Sequence, residues 1–378
     1  VTDLEDRVRR ALAGVIDPEI RKPITELDMV AHVVETATGV EVGVKLTIVG
    51  CPAADRIERD ARVAAESVVG DGNAVVAISV MTPAERDALT ERLRGGRGPR
   101  GIPFGADSLT RVYAITSGKG GVGKSTLTAN LAVALAARGL AVGLVDADVH
   151  GFSIPGLLGL VDADGHAAKP TRVGEMILPP VAHGVKVISI GMFLDDPRAA
   201  VAWRGPMLHR TLQQFLGDVF FGDLDVLVLD LPPGTGDVAI SVGQLLPTAE
   251  VIVVTTPQPA AADVAERSGV VARQTGQRVI GVIENMAGLA QPDGSVLDLF
   301  GSGGGAEVAR RLSESGDDVP LLAQVPLSIA LRAGGDAGAP IVESTPDDPA
   351  ARAIDAVAAH LASRPRGLAG KPLGMSVR

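Results

Sequence analysis

From residue 109 onward, short apolar runs alternate with stretches of helical spacing. The runs over 112–116, 141–146, 185–191, 226–230, 251–255 and 279–283 are the candidate strands. Several are unbroken apolar segments bounded by turn residues, as in strands covered on both faces. With helix-like segments between them, the pattern predicts an α/β fold built on a doubly wound, mainly parallel sheet. The start of the chain reads differently. Apolar side chains at helical spacing over 4–15 end at Asp17-Pro18-Glu19. Extended segments over 29–35 and 40–49 follow, joined as a hairpin through Ala37-Thr38-Gly39. A helical stretch over 53–69, with Pro52 near its first turn, and a strand over 74–80 complete a smaller α+β domain. Residues 91–108 are rich in Gly, Arg and Pro without apolar periodicity and read as a linker. Residues 363–378, with further prolines and glycines, read as a loose tail. The predicted division is therefore 1–90, 91–108, 109–362 and 363–378, with no internal repeat.

The turn after the first long run carries the densest chemistry. Val112-Tyr113-Ala114-Ile115 leads into Ser117-Gly118-Lys119-Gly120-Gly121-Val122-Gly123-Lys124-Ser125-Thr126, and a helix-like segment over 127–137 follows. Strand, glycine-rich turn and helix form the setting of a phosphate-binding loop. Gly118, Gly120, Gly121 and Gly123 permit backbone angles and close approaches that a side chain would block. The N–H groups of the loop, Val122 and Thr126 included, can then converge on anionic oxygens at a helix N-terminus. Lys124 is placed to reach the β- and γ-phosphates and Ser125 to offer a hydroxyl to magnesium. ATP with magnesium is the expected ligand. Lys119 is not required by such a loop and on its own reads as a solvated charge.

Two carboxylates stand where a nucleotide would need them. Asp148, in Asp146-Ala147-Asp148, follows the second strand of the larger domain at the expected nucleotide edge of the sheet. It can orient water or hold magnesium through water, or simply cap a turn. Asp230 ends the apolar run Val226-Leu227-Val228-Leu229, a Walker B pattern suited to binding magnesium through a water molecule. After it, Leu231-Pro232-Pro233-Gly234-Thr235-Gly236-Asp237 combines stiff and free positions, as a switch loop sensing a γ-phosphate would.

These segments resemble the deviant Walker A ATPases, and specifically the Mrp/ApbC family. The resemblance rests on the loop with Lys119, on 146–155, on Trp203-Arg204-Gly205-Pro206-Met207, on 230–237, on Glu284-Asn285-Met286 and on Phe300-Gly301-Ser302-Gly303-Gly304-Gly305. It implies an ATP-sandwiched homodimer in which Lys119 reaches the partner's nucleotide. It implies that Asp148 supports hydrolysis and that Asn285, otherwise a plausible turn residue, reads adenine. His150 and Trp203 are expected to be structural or interface residues. Asp17-Pro18-Glu19-Ile20 and Thr47-Ile48-Val49-Gly50-Cys51-Pro52 resemble the small iron–sulfur assembly domain that some members carry at the N-terminus. The implied activity is iron–sulfur cluster assembly or transfer to apoproteins.

One departure stands against the cargo. Cluster-carrying members show Cys-x-x-Cys after the Glu-Asn-Met segment, where this chain reads Gln291-Pro292-Asp293-Gly294. Iron–sulfur clusters take about four thiolates, and Cys51 is the only cysteine among 378 residues. Cys51 precedes a predicted helix, where the dipole would favour a thiolate. It reads either as a ligand of a labile cluster or as a small buried residue closing a turn. A nucleotide-gated adaptor that binds assembly partners without a cluster is the alternative function.

Composition removes other classes. One cysteine excludes an intrachain disulfide framework and fits a reducing cytoplasm. A formal charge of −10 without a basic stripe, and 2% aromatic residues, argue against nucleic acid as partner. The acidic start, Thr2-Asp3-Leu4-Glu5-Asp6, does not read as a signal peptide, and the apolar runs are too short to span a bilayer. A MinD- or ParA-like positioning ATPase would need a membrane-binding helix or a basic DNA face, and neither is expected.

Overall fold

The computed structural model describes residues 3–94, 101–105, 107–149, 151–194, 205–291, 293 and 295–364. His150, Trp203, Arg204, Pro292 and Gly294 lie outside the described residues, as do 95–100 and 106 of the expected linker and 365–378 of the expected tail. The chain divides into two compact units. The first takes Val1–Gly101 together with Pro170–Val181 and Asp218–Gly222; the second takes Ile102–Lys169, Ala182–Gly217 and Asp223–Arg378.

In the first unit, α1 (Asp3–Leu12) is followed by the antiparallel pair β1 (Val30–Thr36) and β2 (Gly39–Leu46), then α2 (Ala54–Val69) and β3 (Ala74–Val80), which runs parallel to β2. Alternation along β2 turns Val40, Val42, Val44 and Leu46 inward. Ile57, Ala61 and Ala65 of α2, spaced by four, form the stripe that meets them. A further helix, α3 (Pro83–Arg94), escaped the sequence reading and continues into the stretch read as linker. Its start is a capping box: Glu85 N–H donates to Thr82 Oγ1 at 3.3 Å and Thr82 N–H to Glu85 Oε2 at 2.8 Å.

The second unit runs β4 (Arg111–Ser117), α4 (Lys124–Ala137), β5 (Val142–Asp146) and α5 (Ile154–Leu157). The chain then emits the hairpin β6 (Thr171–Val173) and β7 (Met176–Leu178), which belongs to the first unit. It continues through β8 (Val181–Ala182), β9 (Val185–Ser189), α6 (Gly205–Gly217), β10 (Val226–Asp230), α7 (Asp237–Leu245), β11 (Glu250–Thr255), α8 (Pro259–Gln274) and β12 (Arg278–Asn285). A small pair, β13 (Leu289–Ala290) and β14 (Val296–Leu297), precedes α9 (Gly304–Glu314), β15 (Leu321–Val325), α10 (Ile329–Ala337), α11 (Ile341–Ser344) and α12 (Pro349–Ser363). The sheet order is β15-β12-β11-β4-β10-β5-β9-β8, and every pairing from β15 to β9 is parallel.

This is the expected α/β fold. Every residue of β4, β5, β9 and β10 is buried, which is why their sequences are mostly apolar; Arg111 at the start of β4 and Lys186 within β9 are buried exceptions. The half-exposed edge strand β15, with its polar Gln324, lacks that signature and was not read from the sequence. Parallel strands put the ends of β4, β5, β10, β11 and β12 on one edge, where the chain departs from β4 in opposite directions across the sheet.

Candidate functional site

Along that edge lies a cavity of about 560 Å³, lined by Ser117 and residues 119–126 of the loop and by Asp148, Ser153, Pro232 and Pro233. Two glycines of the loop are sterically required. A Cβ on Gly118 would come within 2.2 Å of the Val264 carbonyl carbon in α8, and one on Gly123 within 2.2 Å of Asn285 Nδ2. Gly121 and Gly123 also take φ of 77° and 80°, in the left-handed region, so the loop can wrap and then enter α4. Asn285, at the end of β12, donates from Nδ2 to the Val122 carbonyl at 2.8 Å and so holds the loop from behind. Across the cavity, Gly234 N–H donates to the Ser117 carbonyl at 2.7 Å, tying the 231–237 segment to the loop.

The acids are arranged around Lys124. Its Nζ lies 2.8 Å from Asp230 Oδ2 and 3.2 Å from Ser125 Oγ. Ser125 Oγ donates to Asp230 Oδ2 at 2.5 Å, and Thr128 Oγ1 donates to Asp230 Oδ1 at 2.8 Å. Asp230 is fully buried, so these partners offset the desolvation of its carboxylate. Asp146, equally buried, accepts from Ser189 Oγ at 2.9 Å and from Asp148 N–H at 3.2 Å. Burial, and then the nearby Asp230 carboxylate, push the Asp146 carboxyl well above the usual carboxylate range. Asp148 takes the Gly151 N–H on Oδ1 at 3.0 Å, which sets its direction. Lys119 Nζ donates to Gln258 Oε1 at 3.1 Å, just before α8. The structure thus brings together the loop, Lys124, Ser125, Asp148 and Asp230, with Asn285 behind the loop and Lys119 beside it.

Cys51 lies in the first unit. It is 6% exposed, within the apolar core of that unit. Its thiol donates to Glu19 Oε2 at 3.9 Å. Burial pushes the thiol up to about 11, and the Glu19 and Asp17 carboxylates push the same way, against a hydrogen bond from the Ala53 backbone. Burial outweighs the backbone contact at the start of α2 and favours the protonated thiol. Among the described residues, Cys51 belongs to no group of three His, Cys, Asp or Glu ligand atoms within 4.8 Å of one another. Among the described residues, no helix is long and apolar enough to cross a membrane.

Residues 108–362 match the family model of the NUBPL iron-transfer P-loop NTPase, and residues 5–80 match that of an iron-sulfur cluster assembly protein. An iron-sulfur cluster carrier protein from Mycobacterium bovis is 55% identical over 376 residues, covering 99% of this chain and 97% of the relative. One from Synechocystis is 40% identical over 361 residues, covering 95% and 97%. A solved nucleotide-binding protein from Archaeoglobus fulgidus, in complex with ADP, superposes with a TM-score of 0.52 at 35% identity, over 62% of this chain and 92% of that one. The chain belongs to the NUBPL iron-transfer P-loop NTPase family.

Three partners in this iron-transfer NTPase fold were not read from the sequence. Thr128 shares Asp230 with Ser125; its signal was present, since it lies one helical turn after Lys124 and its hydroxyl also reaches the Lys124 carbonyl at 2.8 Å. Ser189 meets Asp146 from a neighbouring strand 43 positions away, and Gln258 meets Lys119 across 139 positions. Neither pairing has a local signal, because only the sheet order creates it.

Proposed function

We propose that this chain is a magnesium-dependent ATPase that acts in iron–sulfur cluster assembly or transfer, as a cytoplasmic homodimer serving assembly and recipient proteins. The observation that carries the nucleotide part is the joined set of Lys124, Ser125 and Asp230 beside a glycine cradle open to a cavity of nucleotide size. Ser125 and Asp230 supply oxygen atoms of the kind magnesium takes, so the donor set fits the ion. Bound magnesium offsets the charge developing on the phosphate oxygens. The loop amides fix the phosphates, and Lys124 exchanges its contact with Asp230 for the γ-phosphate. Asp148, aimed by Gly151, orients the attacking water, and the tied 231–237 segment reads whether a γ-phosphate is present. Asn285 holds the loop through its Nδ2 and keeps its carbonyl oxygen for the adenine amine.

Lys119 is proposed to act in trans. The expected result for Lys119→Ala is a fall in ATP turnover of about tenfold or more with binding of ATP nearly unchanged. Steady-state hydrolysis beside equilibrium nucleotide binding checks it, and full turnover in the variant removes the argument for the dimer.

The cargo is supported by the relatives named iron-sulfur cluster carrier proteins, aligned over nearly the whole chain. Cys51 is proposed as the sulfur that meets the cargo, two of them in a homodimer. Its burial favours a second reading, the nucleotide-gated adaptor that binds assembly partners without a cluster. Anaerobic reconstitution with iron and sulfide separates the two. The carrier predicts stoichiometric iron with a charge-transfer absorption that Cys51→Ser loses; a wild-type protein that takes up no iron leaves the adaptor.

A further inference from the structure

Thr171 opens β6 and is 4% exposed. Register within the hairpin pairs Thr171 with Leu178 and Val173 with Met176, and all four side chains are buried. Val173, Met176 and Leu178 join the apolar core of the first unit. A valine would fill the place of Thr171 without burying a hydroxyl, so packing alone does not call for threonine. The hydroxyl donates to Glu19 Oε1 at 2.7 Å, across 152 positions of sequence. The other carboxylate oxygen of Glu19 faces the Cys51 sulfur at 3.9 Å. Asp17 sets the backbone beneath: its Oδ1 accepts the N–H groups of Glu19 and Ile20 at 2.9 and 2.8 Å.

We propose that Thr171 is a positioning residue for Cys51: its hydroxyl holds Glu19 against the sulfur, so the β6–β7 hairpin keeps the thiol capped until Glu19 swings away. The inference rests on the carrier reading, in which Cys51 meets the cargo. A hairpin drawn from the middle of the NTPase sequence thereby sets the access of a sulfur in the N-terminal unit.

Alkylation of the native full-length chain by iodoacetamide, followed by mass spectrometry without iron or nucleotide, tests it. Thr171→Val is expected to react about fivefold faster than wild type, and Thr171→Ser, which keeps the hydroxyl, at the wild-type rate. Glu19→Ala is expected to raise the rate by a similar factor, and Thr171→Val to add nothing in that background. Equal rates for wild type and Thr171→Val overturn the proposal. So does an undiminished effect of Thr171→Val in the Glu19→Ala background, since the hydroxyl would then act through packing. Should Thr171→Val fail to fold, unchanged alkylation of Glu19→Ala overturns the proposal by itself. The readout needs no iron, so failure of the carrier reading shows separately, as absent iron uptake with the alkylation pattern intact.

Discussion

Replacing Lys124 with Ala is expected to abolish ATP turnover, with kcat falling by about 10²–10³-fold or more, because a buried cation aimed at developing phosphate charge is lost. The same change is expected to destabilise the nucleotide-free fold. Lys124 Nζ sits 2.8 Å from Asp230 Oδ2, and both side chains are almost fully buried. Removing one member of a buried ion pair costs about 3–5 kcal/mol, since the remaining charge has no compensation. Ser125 and Thr128 still donate to Asp230, which places the expected loss at the lower end of that range. Hydrolysis assays and thermal unfolding on the same preparation check both effects. Normal turnover in a folded Lys124→Ala protein would falsify the assignment of this loop as the nucleotide site.

The second large effect is expected where the linear order gives no hint of it. Leu178→Ala should cost about 2–5 kcal/mol, the usual range for emptying a fully buried leucine site. The loss should fall on the first unit, because Leu178 belongs to the core that holds Val40, Val42 and Val44. Hydrogen exchange reads the location. Backbone amides of β2 should lose protection while those of β4 keep theirs; the reverse pattern would show that the hairpin supports the NTPase sheet instead.

The N-terminal α-β-β-α-β order and the parallel sheet were legible because periodicity is a local record of burial. β2 alternates since one face is covered, and β4, β5 and β10 are continuous since both are. The phosphate loop was legible for a similar reason: its glycines answer to backbone angles and near neighbours that no other residue tolerates. α3 was hidden although its capping box, Thr82 to Glu85, stands in the sequence, because it buries few apolar side chains and shows little periodicity. β15 was hidden because an edge strand is only half covered.

What the sequence determined by itself is therefore the class of the strongly periodic elements and the phosphate-binding loop, properties set by neighbours a few residues away. The tertiary structure alone decided the rest. It placed Ser189 on Asp146 and Gln258 on Lys119, and it delivered Thr171 to Glu19 from a hairpin belonging to the other unit's stretch of chain. It also chose between the two readings of the Cys51 environment: burial beside Glu19 and Asp17 outweighs the Ala53 backbone hydrogen bond and favours the protonated thiol. Desolvation depends on everything packed around an atom, and no local pattern along a chain records that.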